Sequence, residues 1–171
     1  MSNEAITVVQ TRRSVRSFTD EAVSDADLEL ILRCAMQAPS AGGAEPWEFV
    51  ILKDKALLRK FAEINPYAKF APQADVGIVV CGNLERERFK GFWVQDTSAA
   101  MENLLLAVHA LNLGGVWTGL YPVEERVKGV RELIQAPAHI IPLGCALIGH
   151  PKAKPMPKDR FDESRIHKNI W

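Results

Sequence analysis

Near its start the chain reads Arg-Arg-Ser-Val-Arg at residues 12–16, which places three guanidinium groups and one hydroxyl within five residues. Planar guanidinium groups match the geometry of phosphate oxygens, and a serine hydroxyl adds a neutral donor. The cluster by itself is equally typical of a solvated basic turn at the end of a helix. A phosphate site needs further donors, so other parts of the sequence are needed to distinguish such a site from a solvated basic turn.

A second cationic motif stands far along the chain, where Lys158 and Arg160 flank Asp159. The motif lies in a proline- and lysine-rich segment, so residues 151–171 are predicted to form an extended tail. If this tail folds back, it supplies the missing donors. We therefore expect the two termini to meet at one phosphate-bearing cofactor. Trp171, which is large and apolar, is expected to pack on its own domain or to cross to a partner subunit.

Two turns of small residues lie between the basic motifs. The first is Pro39-Ser40-Ala41-Gly42-Gly43, and the second is Trp117-Thr118-Gly119. Glycine lets a backbone approach a flat ligand closely, and a Thr-Gly peptide can direct two backbone N–H groups at ring acceptors. Taken alone, the first motif is more typical of an ordinary helix stop, and the second of a strand end.

Composition excludes several classes of protein. The chain has 171 residues, which predicts a single domain covering residues 1–171. Basic and acidic residues number 21 each, so the zero net charge argues against binding to nucleic acid or to an anionic membrane. No apolar run is long enough to span a bilayer, and Met1 to Glu4 do not resemble a secretory signal. We expect a cytoplasmic protein.

Hydrophobic periodicity predicts alternating helices and strands, and hence an α+β sandwich with a central sheet flanked by helices. Strands are predicted near residues 49–52, 76–81, 116–121 and 140–148. Helices are predicted near residues 3–11, 24–38, 55–64, 96–112 and 122–133. The longest helix is expected to begin with Asp96 or Thr97 as its N-cap, and no chemistry is assigned to either residue.

Several motifs of catalysis are missing from the sequence. It contains no G-x-G-x-x-G dinucleotide fingerprint, no phosphate-binding P-loop and no G-x-S-x-G nucleophile elbow. The four histidines do not pair at the spacing of metal ligands, and the three cysteines lie far apart in apolar segments. We therefore expect neither a metal site nor a catalytic dyad.

Together these motifs resemble the nitroreductase family of FMN-dependent oxidoreductases, over nearly the whole chain. The shared features are the Arg-Arg-Ser-Val-Arg segment, the Ala-Pro-Ser turn leading to Pro-Trp, the alanine-rich helix, the Trp-Thr-Gly segment and the Lys-x-Arg tail. The chain departs from the family at Gly43 and Glu45, where members often carry asparagine and glutamine. The resemblance implies a homodimer with a nitroreductase-like sandwich, a mixed or antiparallel sheet and FMN at the subunit interface.

The resemblance also implies roles for individual residues. Arg12 and Ser14 would hold the FMN phosphate together with Lys158 and Arg160, and Arg13 would lie along the ribityl chain or phosphate. Arg16 would approach the pyrimidine edge of the flavin. The other subunit would line the ring with Pro39, Ser40, Ala41 and Gly43, and the backbone N–H groups of Thr118 and Gly119 would face N5 and O4.

The activity implied is hydride transfer from NADH or NADPH through FMN to an electron-poor acceptor such as a nitroaromatic or a quinone. The flavin carries the hard chemistry, which agrees with the absence of a catalytic dyad. Two alternatives remain open on the sequence alone. One is a flavin-dependent dehalogenase or flavin-fragmenting enzyme on the same fold, and the other is a non-catalytic FMN-binding protein.

Overall fold

The computed structural model of the chain describes residues 3–171. Met1 and Ser2, on which the expectation about a secretory signal partly rests, lie outside that range. The centre of the fold is a four-stranded sheet in the spatial order β1-β2-β4-β3. Its strands are β1 (Trp47–Leu52), β2 (Val76–Asn83), β3 (Gly114–Gly119) and β4 (Ile140–Gly149). Every neighbouring pair is antiparallel, so of the mixed and antiparallel sheets predicted, the antiparallel one is found.

Residues 3–171 contain five α-helices. They are α1 (Glu4–Thr11), α2 (Asp25–Ala35), α3 (Lys55–Ile64), α4 (Trp93–Ala110) and α5 (Glu124–Leu133). Helices α2 to α5 cover the sheet, and α1 lies against α4. Short side chains cap three of the helix starts. The Ser24 hydroxyl, for example, accepts the backbone N–H of Asp27 at 3.0 Å, which is the predicted start of α2. These elements form the predicted α+β sandwich.

The sheet has a hydrophobic core on each face because β2 is buried on both sides. Val79 and Cys81 point to the face covered by α3 and α5, where Leu58, Phe61 and Val130 complete one core cluster. The alternate residues of β2 join a second cluster with α2 and α4. Burial raises the pKa of the Cys81 thiol to about 12. The apolar, β-branched run of β2 thus predicts its position correctly.

Two predicted helix boundaries are wrong. Helix α2 ends at Ala35 and not at Ala38. Helix α4 begins at Trp93, so Asp96 and Thr97 lie inside the helix and neither is the N-cap. The indole of Trp93 is buried against Gly82, where an added Cβ would stand 2.2 Å from the Trp93 ring. This contact with β2 extends the helix beyond its local start signal.

The segment that follows α1 pairs with the start of β3, at one edge of the sheet. Ser14 forms a parallel bridge with Gly115, and the Val15 N–H donates to the Gly115 carbonyl at 3.0 Å. Further along, Phe18 bridges Pro151 in the antiparallel sense. The basic motif at residues 12–16 is therefore held against β3.

The tail that follows His150 is extended, and all residues from 152 to 171 are exposed. It contains a single turn of 3-10 helix at Glu163–Arg165. Trp171 is 99% exposed, and among the residues that the structure describes its ring stacks on that of His167 alone, with 4.2 Å between centroids. Over residues 3–171, none of the helices combines the length and the apolar character that a membrane span requires.

A candidate cofactor-binding site

The two basic motifs meet at one cleft. The end of α1 and the tail enclose a cavity of about 560 Å³. Its lining includes Arg12, Arg13, Lys158 and Arg160, with Asp159 as its one carboxylate. Four cations around one opening give a site whose charge fits a phosphate dianion. The chain thus folds its termini together, although 146 residues separate Arg12 from Lys158.

Arg12 is the best fixed of these cations. Its Nε donates to Oε1 of Glu102 on α4 at 3.0 Å, and its side chain is only 24% exposed. Among the described residues, its two terminal nitrogens have no hydrogen-bond partner. Ser14 and Arg16 belong to the same segment and are exposed, but they do not line the cleft. The structure therefore separates them from the four cations that do.

A second contact fixes the residue before Arg12. The Thr11 hydroxyl donates to the Thr7 carbonyl at 2.6 Å and lies 2.8 Å from Nε2 of His109. A hydroxyl has one proton, so Thr11 accepts from His109, whose Nε2 carries the proton. Burial lowers the pKa of His109, and the charges of Arg12 and Lys154 lower it further. A neutral His109 with a defined tautomer therefore holds the end of α1.

The turn at residues 39–43 is attached to a different part of α4. The backbone N–H of Ala41 donates to Oδ1 of buried Asp96 at 2.9 Å. The Ser40 hydroxyl accepts the Glu45 N–H at 3.0 Å, which closes the turn. Gly43 has a φ of 65°, and an added Cβ there would meet no atom within 4 Å. The turn therefore presents open backbone at the surface.

The turn and the cationic cleft of one chain lie on different sides of α4. Asp96 holds the turn, and Glu102 holds Arg12, six residues further along the helix. Helical geometry separates the two by about 9 Å along the axis and about 120° around it. The structure therefore does not bring Pro39, Ser40, Ala41 and Gly43 into the cleft of the same chain.

The end of β3 presents backbone groups at the free edge of the sheet. The Gly119 carbonyl accepts from Nδ2 of Asn65 at 3.2 Å, and the Gly115 carbonyl accepts from Val15. Because backbone groups alternate along an antiparallel strand, the N–H of Gly119 also faces this edge, while Thr118 faces β4. The Thr118 hydroxyl donates to the Cys145 carbonyl at 2.8 Å. An added Cβ at Gly119 would meet no atom within 4 Å, so a flat ligand has room there.

Three residues that hold this arrangement were not predicted from the sequence: Asp96, Glu102 and Asn65. Asn65 is 1% exposed, and its Oδ1 also accepts the N–H of Tyr67. The sequence signal at Asn65 is that of a local cap before Pro66, and at Asp96 that of a helix start. The long-range partner of each residue lies far away along the chain, so no local pattern in the sequence indicates it.

The family to which these features point is shown by comparison with known proteins. A model described as the nitroreductase family matches residues 9–67 and 65–150. A relative from Methanothermobacter thermautotrophicus, provisionally named an NADH dehydrogenase/NAD(P)H nitroreductase, is 42% identical over 168 residues. The match covers 98% of this chain and 88% of the relative. The chain belongs to the nitroreductase family.

Solved structures agree with this assignment. A provisionally named NADH dehydrogenase/NAD(P)H nitroreductase from Bacteroides thetaiotaomicron matches with a TM-score of 0.95 at 40% identity, over 100% of both chains. A provisionally named nitroreductase from Desulfovibrio desulfuricans, solved in complex with FMN, matches with a TM-score of 0.87 at 30% identity. That match covers 100% of this chain and 99% of the other.

Proposed function

We propose that this chain is an FMN-dependent oxidoreductase that takes hydride from NADH or NADPH and reduces an electron-poor acceptor such as a nitroaromatic or a quinone. The observation that carries the proposal is the cleft in which Arg12 and Arg13 meet Lys158 and Arg160. Relatives named as an NADPH nitroreductase and as an NAD(P)H-dependent FMN reductase support it. When bound, FMN supplies the redox chemistry by accepting hydride and passing electrons to the second substrate.

The residues present fit the phosphate end of FMN. The terminal nitrogens of Arg12 are available to a ligand, and a bidentate guanidinium–phosphate pair is strong and geometrically specific. Lys158 and Arg160, which are exposed, add charge from the tail. Arg13 lines the same cleft and is assigned to the phosphate or the ribityl chain. Ser14 and Arg16 lie outside the lining, so Arg16 is assigned to the pyrimidine edge of the flavin and Ser14 to the rim.

At the ring end, backbone groups do the positioning. The N–H of Gly119 lies at the outer edge of β3 and Gly119 is exposed, which suits a hydrogen bond to a ring acceptor. Gly119 is therefore a stronger candidate than Thr118, whose backbone faces β4. Asn65 braces this position through its bond to the Gly119 carbonyl. In these roles the chain positions the flavin and provides its electrostatic surroundings, and none of its side chains acts as a nucleophile.

We further propose a homodimer with FMN at the interface. Helix α1 has no buried residue, although Ile6 and Val9 are apolar and more than half exposed. Beside it lies an apolar groove of about 390 Å³, whose lining includes Cys34, Leu106 and Ala107. A second copy covering this face would remove apolar surface from water, which is the main driving force for association.

The geometry around α4 supports the same assembly. Since the turn at residues 39–43 lies about 120° around α4 from the cationic cleft, the turn of one chain is free to line the site of the other. The tail exposes Phe161 at 75% and Trp171 at 99%, and large apolar side chains this exposed need a surface to pack on. We assign that surface to the partner subunit.

The direct test is reduction of the flavin without oxygen. Purified protein is mixed with FMN and either NADH or NADPH, and the absorbance of oxidised flavin is followed. We expect the band to bleach with at least one nicotinamide and to return when a nitroaromatic or quinone is added. Protein that binds FMN but stays oxidised with both nicotinamides would instead be a flavin-binding protein without this activity.

A further inference from the structure

Two side chains of α4 contact the end of α1, and the proposed function gives neither of them a role. They are Glu102, which contacts Arg12, and His109, which contacts Thr11. Seven residues separate them, so they lie on one face of the helix, about two turns and 10 Å apart. Residues 11 and 12 are consecutive, so α4 holds two successive side chains of the segment that enters the cationic cleft.

The contact with Glu102 leaves the ligand-binding part of Arg12 free. An arginine side chain has several rotatable bonds, and ordering it on binding costs free energy. Glu102 engages only Nε, at 3.0 Å, and the planar guanidinium then has a fixed orientation. Both terminal nitrogens remain for a ligand, and the ordering cost is met before the ligand arrives.

The contact with His109 fixes the backbone from which Arg12 and Arg13 project. Thr11 lines the cationic cleft, and it also lines a small cavity together with His109 and Lys154. Its hydroxyl is bonded on both sides, to the Thr7 carbonyl and to Nε2 of His109. The last turn of α1 is thereby tied to the last turns of α4, and it cannot rotate without breaking one of these bonds.

We infer that Glu102 and His109 are positioning residues for the phosphate of the bound flavin nucleotide, an inference that rests on the proposed function. Neither residue touches the phosphate. Glu102 orients the Arg12 fork, and His109 holds the end of α1 through Thr11. Glu102 also carries a negative charge, which repels the phosphate. The direction in which FMN affinity changes when Glu102 is removed therefore separates two explanations. Affinity falls if Glu102 orients Arg12, and it rises if Glu102 competes with the phosphate for Arg12.

The experiment measures the affinity of the full chain for FMN and for riboflavin, which lacks the phosphate, by quenching of flavin fluorescence. The variants are Glu102→Ala, Glu102→Gln, His109→Leu and His109→Gln. Truncating Glu102 to alanine is expected to weaken FMN binding about three- to tenfold, the scale of one side chain left to be ordered on binding. Riboflavin binding is expected to stay unchanged.

The conservative variants separate positioning from a general structural role. Glu102→Gln keeps an acceptor for Nε without the charge, so it should bind FMN as tightly as the parent or more tightly. His109→Gln keeps an N–H donor for Thr11 and should bind FMN better than His109→Leu does. Glu29→Ala is the matched control, because Glu29 holds exposed Arg33 at 2.6 Å on α2. It should leave FMN affinity unchanged.

Three results would overturn the inference. One is tighter FMN binding by Glu102→Ala, since Glu102 would then compete with the phosphate for Arg12. A second is an equal loss of affinity for FMN and for riboflavin, and a third is an equal loss of FMN affinity in Glu102→Ala and Glu102→Gln. If riboflavin binds too weakly to measure, the FMN affinities of Glu102→Ala and Glu102→Gln are sufficient to test the inference. A parent chain that binds no FMN would instead refute the proposed function.

Discussion

The carboxylate of Asp96 accepts the backbone N–H of Ala41 at 2.9 Å, which ties the turn at residues 39–43 to the first turn of α4. Asp96 is only 5% exposed, so the acceptor of this bond is shielded from water, while Ala41 is half-buried. The side chain that the sequence suggests as a helix cap thus serves a segment 55 residues earlier in the chain. The position of the turn depends on it.

Replacing Asp96 should loosen this turn. The Asp96→Ala variant leaves the Ala41 N–H without its acceptor, which should cost about 1–3 kcal/mol of unfolding free energy. Asp96→Asn keeps an acceptor oxygen and should lose less. Urea unfolding measures both, with Asp20→Ala as a control, since Asp20 is exposed. Equal stability of Asp96→Ala and the parent would mean that the turn is held by other contacts.

Removing cations from the cleft should weaken flavin binding. Arg12→Ala and Lys158→Ala should each cost roughly 1.5–3 kcal/mol of FMN affinity, the scale of a charged hydrogen bond. The double variant is measured by fluorescence titration. Its matched control is Arg59→Ala with Lys60→Ala, which removes the same two charge types from exposed positions of α3. A double variant that binds FMN as tightly as the parent would place the phosphate elsewhere.

Asn65 should be important for the stability of the β3 edge. The Asn65→Ala variant removes a donor from the Gly119 carbonyl and an acceptor from the Tyr67 N–H at a site that is 1% exposed. Gly119 and Tyr67 are themselves exposed, so water can partly replace the lost partner, and we expect a loss of about 0.5–1.5 kcal/mol of unfolding free energy for each bond removed. Urea unfolding checks this. In the Asn65→Asp variant an ionised carboxylate keeps only the acceptor for the Tyr67 N–H, whereas a protonated carboxyl can also donate to the Gly119 carbonyl. Its stability should therefore fall between those of the parent and Asn65→Ala at low pH, where the new carboxyl is protonated.

His109 should give the protein a pH-dependent stability. Burial lowers the pKa of His109 below its ordinary value of 6.5, and Arg12 and Lys154 lower it further. The unfolded chain then binds a proton that the folded chain does not, so unfolding free energy should fall as the pH drops below about 6.5. The His109→Gln variant should lose the part of this pH dependence of the unfolding free energy that His109 contributes. Urea unfolding of both proteins between pH 5 and 7 gives the difference, and parallel curves would contradict the prediction.

The elements of the fold follow largely from local patterns in the sequence. The apolar, β-branched run of β2 is a strand buried on both faces, and Ser24 begins α2 as its side chain predicts. The start of α4 does not follow, because the indole of Trp93 packs on Gly82 and extends the helix upstream. That contact joins residues whose proximity exists only in the folded chain.

The candidate site was predictable in part. The basic motifs at both ends are visible in the sequence, and their resemblance to a family suggested that they meet. The supports of the site were not visible. Asn65 has the sequence signal of a local cap and also makes that bond with Tyr67, so nothing local indicates its second bond to Gly119. Glu102 is one acidic residue on a long helix, and only the fold places it beside Arg12.

The bridge between Ser14 and Gly115 has a consequence for proteolysis and aggregation. An uncovered outer strand offers unpaired N–H and C=O groups on which another molecule can build a continuing ribbon. The residues that carry the basic motif cover the start of β3, and the Val15 N–H donates to the Gly115 carbonyl. Cleavage that released the first twenty residues would therefore remove ligand contacts and also uncover a template for intermolecular β-pairing. Loss of flavin binding and loss of solubility should then occur together.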